Sequence, residues 1–242
     1  PRSLEVPHSE GVLRLSNVDF PLLGYELDSM PRTIAARTRR IYDRLAVVYP
    51  LSTHLFHSKA HRRALEDSGI HDGMRVLEVA TGSGEMFRRL VRVNRSGMTL
   101  GLDLSPVMAA KTLRRVRRDF PGSRAQCHAV DARYMPFPDG AFDALVCCYL
   151  LELLSLEDVE QTLAEFHRIL RRQATLTLVL IGQDGAAFDR IYRMLGRLAP
   201  AMWGRQLDGR LREMILARDF RIVSERHVRQ SGYPSRVLVA RK

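Results

Sequence analysis

Hydrophobic positions along the chain form short continuous runs that alternate with longer segments of helical spacing. The runs predict buried strands near residues 75–81, 99–104, 125–131, 143–149, 175–181, 220–228 and 235–241. Apolar residues that recur every third or fourth position predict helices near 85–94, 106–118, 156–171, 184–199 and 207–218. This alternation predicts an α/β fold whose mostly parallel sheet carries helices on both faces.

The connection between the last two predicted strands indicates how the sheet ends. Gly232-Tyr233-Pro234 is too short to hold a helical crossover, so these strands should form an antiparallel hairpin. Such an ending argues against the standard dinucleotide-binding fold.

The N-terminal part of the chain follows a different pattern. Residues 1–30 carry prolines and scattered apolar residues without a period, and we expect an arm there that is ordered only in part. A basic amphipathic helix is predicted at 31–48, to dock on the domain or lie on an anionic membrane. A second helix is predicted at 52–67. We expect residues 1–70 to form an arm and helical lid, and residues 71–242 to form the α/β domain.

Three histidines of the second N-terminal helix share one face, because His54, His57 and His61 are three and seven positions apart. Imidazoles at this spacing can converge on a metal, but no carboxylate or cysteine partner accompanies them. We therefore predict no metal site. This face is expected to line a substrate entrance or to be exposed.

Composition indicates an ordinary globular protein. Hydrophobic residues make up 45% of the 242 residues, and no apolar run approaches the ~20 residues of a membrane-spanning helix. The first residues show no apolar signal-peptide segment, so we expect a cytoplasmic protein. Cys127, Cys147 and Cys148 fall on predicted strands and are expected to be reduced core residues.

The formal net charge of +11 indicates attraction to something anionic. Three explanations stay open: solvated helix faces, peripheral contact with an anionic inner membrane and, last, nucleic acid. Lys111, Arg114, Arg115 and Arg118 would form one charged helix face, which we interpret as solvated rather than as a binding patch.

The segment from Arg75 to Glu85 predicts a small-molecule site. An apolar run ends in Gly82 and Gly84, and a helical pattern follows at once. Glycine lets a ligand approach the backbone, and the N–H groups that begin a helix favour an anionic ligand group. A dinucleotide site would have a third glycine where this chain has Phe87, which weakens that interpretation.

Two further strands end in acidic residues. Asp103 ends the second predicted strand, where a carboxylate can accept hydrogen bonds from both hydroxyls of a ribose. Asp131 ends the third. Since parallel strands bring their carboxyl ends to one edge, the three motifs should meet there.

Together these segments resemble the class I S-adenosylmethionine-dependent methyltransferases. The resemblance lies in Val-Leu-Glu-Val-Ala-Thr-Gly-Ser-Gly at 76–84, Gly-Leu-Asp-Leu-Ser at 101–105, and Asp-Ala-x-x-x-Pro-Phe-Pro-Asp-Gly-x-Phe-Asp at 131–143. Tyr42-Asp43-x-x-Ala46-x-x-Tyr49 is similar to the ubiquinone/menaquinone-biosynthesis C-methyltransferases and bacterial phospholipid N-methyltransferases. The chain departs from their pattern at Pro50, at Ala80, and at 172–174, which replaces a Pro-Gly-Gly turn.

The resemblance implies a three-layer Rossmann-like sheet of seven strands, with strand seven antiparallel, and S-adenosyl-L-methionine as cofactor. Glu78 would hold the cofactor's ammonium group, Asp103 the ribose and Asp131 the adenine amino group. The other residues expected at the cofactor are Tyr42, Ala80, Gly82, Gly84, Leu104, Met108, Ala132 and Tyr149. For Tyr149 core packing is a rival interpretation.

The implied activity is methyl transfer to a small or lipid-like acceptor near a membrane surface, such as a prenylated quinol or a phospholipid amine. Tyr149 and His54 are the candidate catalytic residues, and the segment around Met202-Trp203 is a candidate lid. The alternatives are an RNA or protein methyltransferase, a non-catalytic cofactor-binding protein and an NAD-dependent oxidoreductase. Nothing in the pattern indicates an oligomeric state.

Overall fold

The computed structural model describes residues 49–182, 207, 209–231 and 233–242, and the side chains from residue 57 onward. The predicted arm, the basic helix at 31–48, the helix at 184–199 and the Met202-Trp203 segment lie outside the described residues.

Five helices and seven strands are described in this part of the chain. The helices are α1 (Tyr49–Ser68), α2 (Glu85–Val93), α3 (Pro106–Asp119), α4 (Leu156–Ile169) and α5 (Gly209–Ala217). The strands are β1 (Arg75–Val79), β2 (Met98–Asp103), β3 (Arg124–Ala129), β4 (Phe142–Cys148), β5 (Leu170–Ile181), β6 (Arg221–Gln230) and β7 (Tyr233–Arg241). A short 3₁₀ turn, Leu151–Leu153, follows β4.

The seven strands form one mixed sheet in the order β3-β2-β1-β4-β5-β7-β6. The pairs from β3 to β5 are all parallel, whereas β7 is antiparallel to both β5 and β6. The predicted antiparallel hairpin and the antiparallel seventh strand are therefore confirmed. Because the order reverses between β1 and β4, a crevice opens at their carboxyl ends, where ligands bind in open α/β sheets.

Helices cover both faces of the sheet, as alternation along β1 shows. Leu77 and Val79 face a core that α4 and α5 close, whereas Val76 faces a second core that contains Ala60 and Ala64 of α1. These residues are at most 1% exposed, so the three layers are closely packed.

Helix α1 is fastened to the far end of the sheet as well as packed upon it. The Lys59 backbone N–H donates to the Gln230 side chain at 2.6 Å, and Asp67 pairs with Arg226 at 3.1 Å. These contacts hold the described end of the N-terminal segment over the carboxyl end of β4 and the amino end of β7. The domain division at residue 70 stays a prediction.

The beginning of β5 differs from the predicted pattern. Helix α4 ends at Ile169 rather than near 171, and β5 begins at once at Leu170, with a register shift between Phe142 and Ala144 of β4. Gln173 has a φ of 65° in this irregular stretch, which is a conformation that glycine adopts more easily. The turn expected at 172–174 is therefore built into the strand.

The amino ends of β1 and β2 are joined through Asn94. Its side-chain amide donates to the Met74 carbonyl at 2.9 Å and accepts from the Met74 N–H at 3.1 Å. A Cβ on the nearby Gly97 would overlap both the Asn94 side-chain oxygen and the Met74 carbonyl oxygen.

We expect Gly97→Ala to lower the free energy of unfolding by about 1–3 kcal/mol, because relief of the overlap must shift backbone. Urea denaturation measures the change. Gly122→Ala is the matched control, since a Cβ there meets no atom within 4 Å. Equal stability of the two variants would contradict this account of the Asn94 bridge.

Candidate active site

The turn after β1 is built from backbone in the left-handed region. Ala80, Gly82 and Gly84 have φ values of 63°, 49° and 77°. This conformation costs a non-glycine residue about 1–2 kcal/mol. Ala80 is therefore strained, at a position where the methyltransferases that this chain resembles often have glycine. The turn is closed by a hydrogen bond of 2.8 Å from the Gly84 N–H to the Thr81 carbonyl.

Gly84 has a structural role that was not foreseen. A Cβ there would lie 2.7 Å from Oγ1 of Thr112, so the missing side chain lets α3 pack directly against the start of α2. Phe87, where a dinucleotide fold would have glycine, is fully buried with Val91, Val116 and Ala125. Close packing at this position is thus achieved with an aromatic residue.

Asp103 ends β2 and is held by two backbone amides. Its Oδ2 accepts from the Gly82 N–H at 2.7 Å, and its Oδ1 accepts from the Ser105 N–H at 2.9 Å. The Ser105 side chain in turn caps α3 by accepting from the Met108 N–H. The Asp103 carboxylate is therefore fixed beside the glycine turn, and a carboxylate in this position can accept from the two hydroxyls of a ribose.

Asp131 lies after β3 and forms an ion pair that sequence reasoning missed. Both of its oxygens accept from the Arg133 guanidinium, the shortest contact being 2.7 Å, and Arg133 also contacts Asp158 at 2.8 Å. The carboxylate predicted to receive the adenine amino group therefore already has a strong partner. The sequence did contain a signal for this ion pair, because Arg133 is a basic residue two positions after Asp131.

Glu78 is a carboxyl group inside an apolar strand. It is 1% exposed, and its Oε2 has no hydrogen-bond partner among the described residues. Burial, reinforced by the negative charge of Asp103, raises the pKa of Glu78 well above its ordinary value. A cationic group is the natural partner for this carboxyl, because it would favour the ionised form.

Tyr149 is fixed at both ends where β4 stops. Its φ is 55°, its N–H donates to the Val179 carbonyl at 2.8 Å, and its hydroxyl lies 2.7 Å from the Ser235 hydroxyl. The ring of His57 is stacked on it, with centroids 4.2 Å apart.

The imidazoles of α1 reach this same region. Burial lowers the pKa of His57 to about 4. Burial and the nearby positive charges of His57 and Arg89 lower the pKa of His61 to about 3. Both rings are therefore neutral at pH 7. The side chain of the candidate His54 lies outside the described side chains, and Tyr42 lies outside the described residues.

These groups line one cavity at the carboxyl ends of β1 to β4, here named the strand-tip cavity. The sequence-predicted residues that line it are Glu78, Ala80, Gly82, Asp103, Leu104, Met108, Asp131, Ala132 and Tyr149. The residues that sequence reasoning did not assign as cofactor or catalytic residues include His57, His61, Met86, Arg133, Leu150, Leu153 and Leu154. Gly84 does not line it. In the described ranges, no group of three or more His, Cys, Asp or Glu side chains could hold a metal ion.

Comparison with a family model decides what kind of domain this is. Residues 76–173, which contain every predicted cofactor motif, match the family described as methyltransferase domain. Residues 76–173 are a class I methyltransferase domain. Its cofactor is S-adenosyl-L-methionine. The buried Glu78, whose Oε2 has no partner among the described residues, and the fixed Asp103 fit the ammonium and the ribose of that molecule.

Curated relatives of this methyltransferase domain are quinone methyltransferases. The chain is 28% identical to the 2-phytyl-1,4-naphtoquinone methyltransferase of Nostoc over 59% of this chain and 64% of that protein. It is 30% identical to a ubiquinone/menaquinone biosynthesis C-methyltransferase of Cellvibrio japonicus over 57% and 56%. The chain thus spans less than two thirds of the length of these relatives.

Solved structures share the fold of the methyltransferase domain at lower identity. The N-methyltransferase NodS of Bradyrhizobium japonicum, in complex with S-adenosyl-L-homocysteine, has a TM-score of 0.68 and 15% identity, with 85% of this chain and 98% of that chain covered. The [4+2]-cyclase SpnF has a TM-score of 0.66 and 19% identity, with 85% and 96% covered. These likenesses confirm the predicted Rossmann-like fold.

We expect Asp103→Asn to weaken S-adenosylmethionine binding at least tenfold, since the ribose hydroxyls lose a charged acceptor worth about 1.5–3 kcal/mol. Isothermal titration calorimetry measures the dissociation constant. Asp139→Asn is the matched control, because the Asp139 side chain is 81% exposed. Unchanged affinity in Asp103→Asn would show that the ribose binds elsewhere.

We expect S-adenosylmethionine binding to release a proton from Glu78, because burial raises its pKa and favours the protonated form, whereas an ammonium group beside it would favour the ionised form. Titrations in buffers of different ionisation enthalpy would detect the release, which Glu78→Gln should abolish.

The raised pKa of Glu78 also predicts how the stability of the ligand-free protein depends on pH. The folded-state pKa is raised, so ionisation of Glu78 costs stability as the pH rises. Glu78→Gln should therefore stabilise the ligand-free protein at alkaline pH, whereas a loss of stability there would contradict the assignment.

Proposed function

We propose that this protein transfers the methyl group of S-adenosylmethionine to a small or lipid-like acceptor, with a prenylated quinol as the favoured one. The observation that carries the proposal is the division of the strand-tip cavity. Glu78, Asp103 and Asp131 stand on one side, where strands β1 to β3 end, and His57 and Tyr149 stand on the other. One cavity therefore offers acids for an adenosyl cofactor and an aromatic wall for an acceptor.

Methyl transfer from a sulfonium needs alignment more than chemical activation. The methyl carbon is already electrophilic, so the protein must place a nucleophile in line with it and exclude water. The leucines at 150, 153 and 154, which follow β4, supply an apolar part of the wall. Such a wall suits a greasy acceptor.

The names of the curated relatives support a quinone-derived acceptor. A quinone ring is electron-poor and does not attack an electrophilic methyl carbon, whereas its reduced quinol is electron-rich. The acceptor would therefore be the quinol, and an assay must hold it reduced. A phospholipid amine is the second candidate within this class.

Contact with an anionic membrane is the part of the proposal that rests on charge. The net charge of +11 supports it, and no described helix combines the length and apolar character needed to cross a bilayer. On α3, Arg115 donates to the Ser83 carbonyl at 2.8 Å and so supports the cofactor turn rather than a free basic face. Arg114 and Arg118 of that helix are exposed.

Two other classes serve as alternatives. An RNA or protein methyltransferase has only the charge in its favour. The second alternative is a protein that binds the cofactor without methyl transfer. The same fold occurs in SpnF, a [4+2]-cyclase, and a fold does not by itself determine an activity.

The function is tested by calorimetry followed by labelling. We expect the full chain to bind S-adenosylmethionine and not NADH, and then to label a prenylated naphthoquinol from methyl-labelled cofactor. Phosphatidylethanolamine vesicles and bulk RNA are the competing acceptors, and Asp103→Asn is the inactive control. Label in RNA alone, or tight cofactor binding without label in any acceptor, would contradict the proposal.

Membrane contact has its own measurement. Co-sedimentation with vesicles rich in anionic lipid should occur at low salt and fall as salt is raised, because screening weakens attraction between exposed charges. Equal sedimentation with neutral vesicles would contradict an electrostatic contact.

A further inference from the structure

The acceptor side of the strand-tip cavity holds two imidazoles one helical turn apart on α1. His61 is 4% exposed, and neither of its ring nitrogens has a hydrogen-bond partner among the described residues. His57 lines the same cavity, stacked on Tyr149 and 5.0 Å from the Tyr233 ring. Because buried polar atoms almost always have partners, these nitrogens indicate a ligand with hydrogen-bonding groups.

We propose that His57 accepts the proton that a hydroxylated aromatic acceptor gives up during methyl transfer, and that His61 orients the same acceptor by a hydrogen bond. This inference rests on the proposed methyl transfer and assigns the proton of that reaction to a residue.

The stacked geometry fixes the direction of the His57 nitrogens. Tyr149 is held through its backbone N–H and through its hydroxyl, so the face against which His57 stacks cannot rotate freely. The interplanar angle is 30°. The nitrogens lie in the imidazole plane, and they are therefore presented along the ring edge rather than to the tyrosine face.

The other titratable side chains that line the cavity are poorly suited to take this proton. Burial raises the pKa of Glu78 and so favours its protonated form, which cannot take up a further proton. The remaining carboxylates already accept from amides or arginines: Asp103 from Gly82 and Ser105, Asp131 and Asp158 from Arg133, and Glu85 from Arg89. The imidazole pair is thus the neutral base within the described wall.

The proton balance of the step is simple. A ring carbon or hydroxyl oxygen of the acceptor bonds the methyl carbon, and the carbon–sulfur bond breaks with its electron pair passing to sulfur. The acceptor gains the positive charge, which makes its hydroxyl proton strongly acidic. That proton passes to the free ring nitrogen of His57, and the imidazolium later releases it to water. After attack through carbon, the keto product regains its aromatic ring by tautomerisation.

The groups around His57 and His61 determine from which kinds of methylated acceptor this pair can remove a proton. The groups facing it are Glu85 and Arg89 of α2, Tyr149 after β4 and Tyr233 of β7. A base whose pKa is about 4 removes a proton from a cationic methylated hydroxyl compound. An alkylammonium has a pKa of about 10.4, so its deprotonation by such a base would be unfavourable by roughly a millionfold. The site therefore favours hydroxylated acceptors over phospholipid amines.

The test uses His57→Gln in the full chain, with a reduced 2-alkyl-1,4-naphthoquinone as acceptor. We expect kcat to fall at least about 100-fold, while the dissociation constant for S-adenosylmethionine stays within about twofold. From about pH 6 to 9 the wild-type kcat should be flat, because His57 is already neutral. The variant's kcat should rise about tenfold per pH unit, since hydroxide replaces the missing base. His227→Gln, exposed on β6, is the matched control and should behave as wild type.

A binding measurement tests the same role without turnover. We expect His57→Leu, loaded with S-adenosylhomocysteine, to bind 1,4-dihydroxynaphthalene at least about tenfold more weakly than wild type, because a hydrogen-bond acceptor is lost. Two results would overturn the role of His57 and leave the proposed methyl transfer standing. One is wild-type affinity in this variant, and the other is a kcat and pH profile in His57→Gln that match wild type. Failure of the wild-type chain to bind S-adenosylmethionine would instead overturn the proposed function together with this role.

Discussion

The carboxylate of Asp103 joins the two strand ends on which the site is built. By accepting from Gly82 and Ser105, it ties the turn after β1 to the start of α3, and the strained conformation of Ala80 is held within that connection. The same carboxylate raises the pKa of Glu78 through its negative charge. The conformation of the turn after β1 and the pKa of Glu78 therefore both depend on the Asp103 side chain. Loss of its carboxylate would change the two together.

The cavity is electrically uneven, and this follows from how its walls are made. The connections that follow β1 and β2 present the backbone N–H groups of Gly82 and Ser105, which hold the Asp103 carboxylate. The opposite wall comes from α1 and the end of β4, where packed rings of His57, Tyr149 and Tyr233 exclude water and keep the imidazoles neutral. A cationic sulfonium is thus attracted to the side of the cavity that carries the Asp103 carboxylate.

Sequence pattern predicted the sheet well, because the strands of its centre, β1, β4 and β5, contain continuous buried apolar runs. Gly82, Asp103 and Asp131 also stand just at or after strand ends. Sequence pattern failed where one residue depends on the three-dimensional neighbourhood of another. Arg133 pairs with Asp131 two positions away, but its second partner, Asp158, is 25 positions further along the chain. Periodicity placed three histidines on one helix face, but only tertiary packing could show that His57 and His61 reach the cavity. The bulge at Gln173 likewise has no local glycine signal.

The Arg133 bridge has a consequence for the rate of ligand exchange. A purine that reaches Asp131 must share that carboxylate with a bidentate guanidinium or displace it toward Asp158, where a second carboxylate is already in place to receive the charge. Exchange of arginine partners between two fixed acids leaves the guanidinium ion-paired throughout. If the adenine amino group binds at Asp131 as predicted, we expect the residence time of the cofactor to depend on Arg133, a side chain that takes no part in the reaction itself.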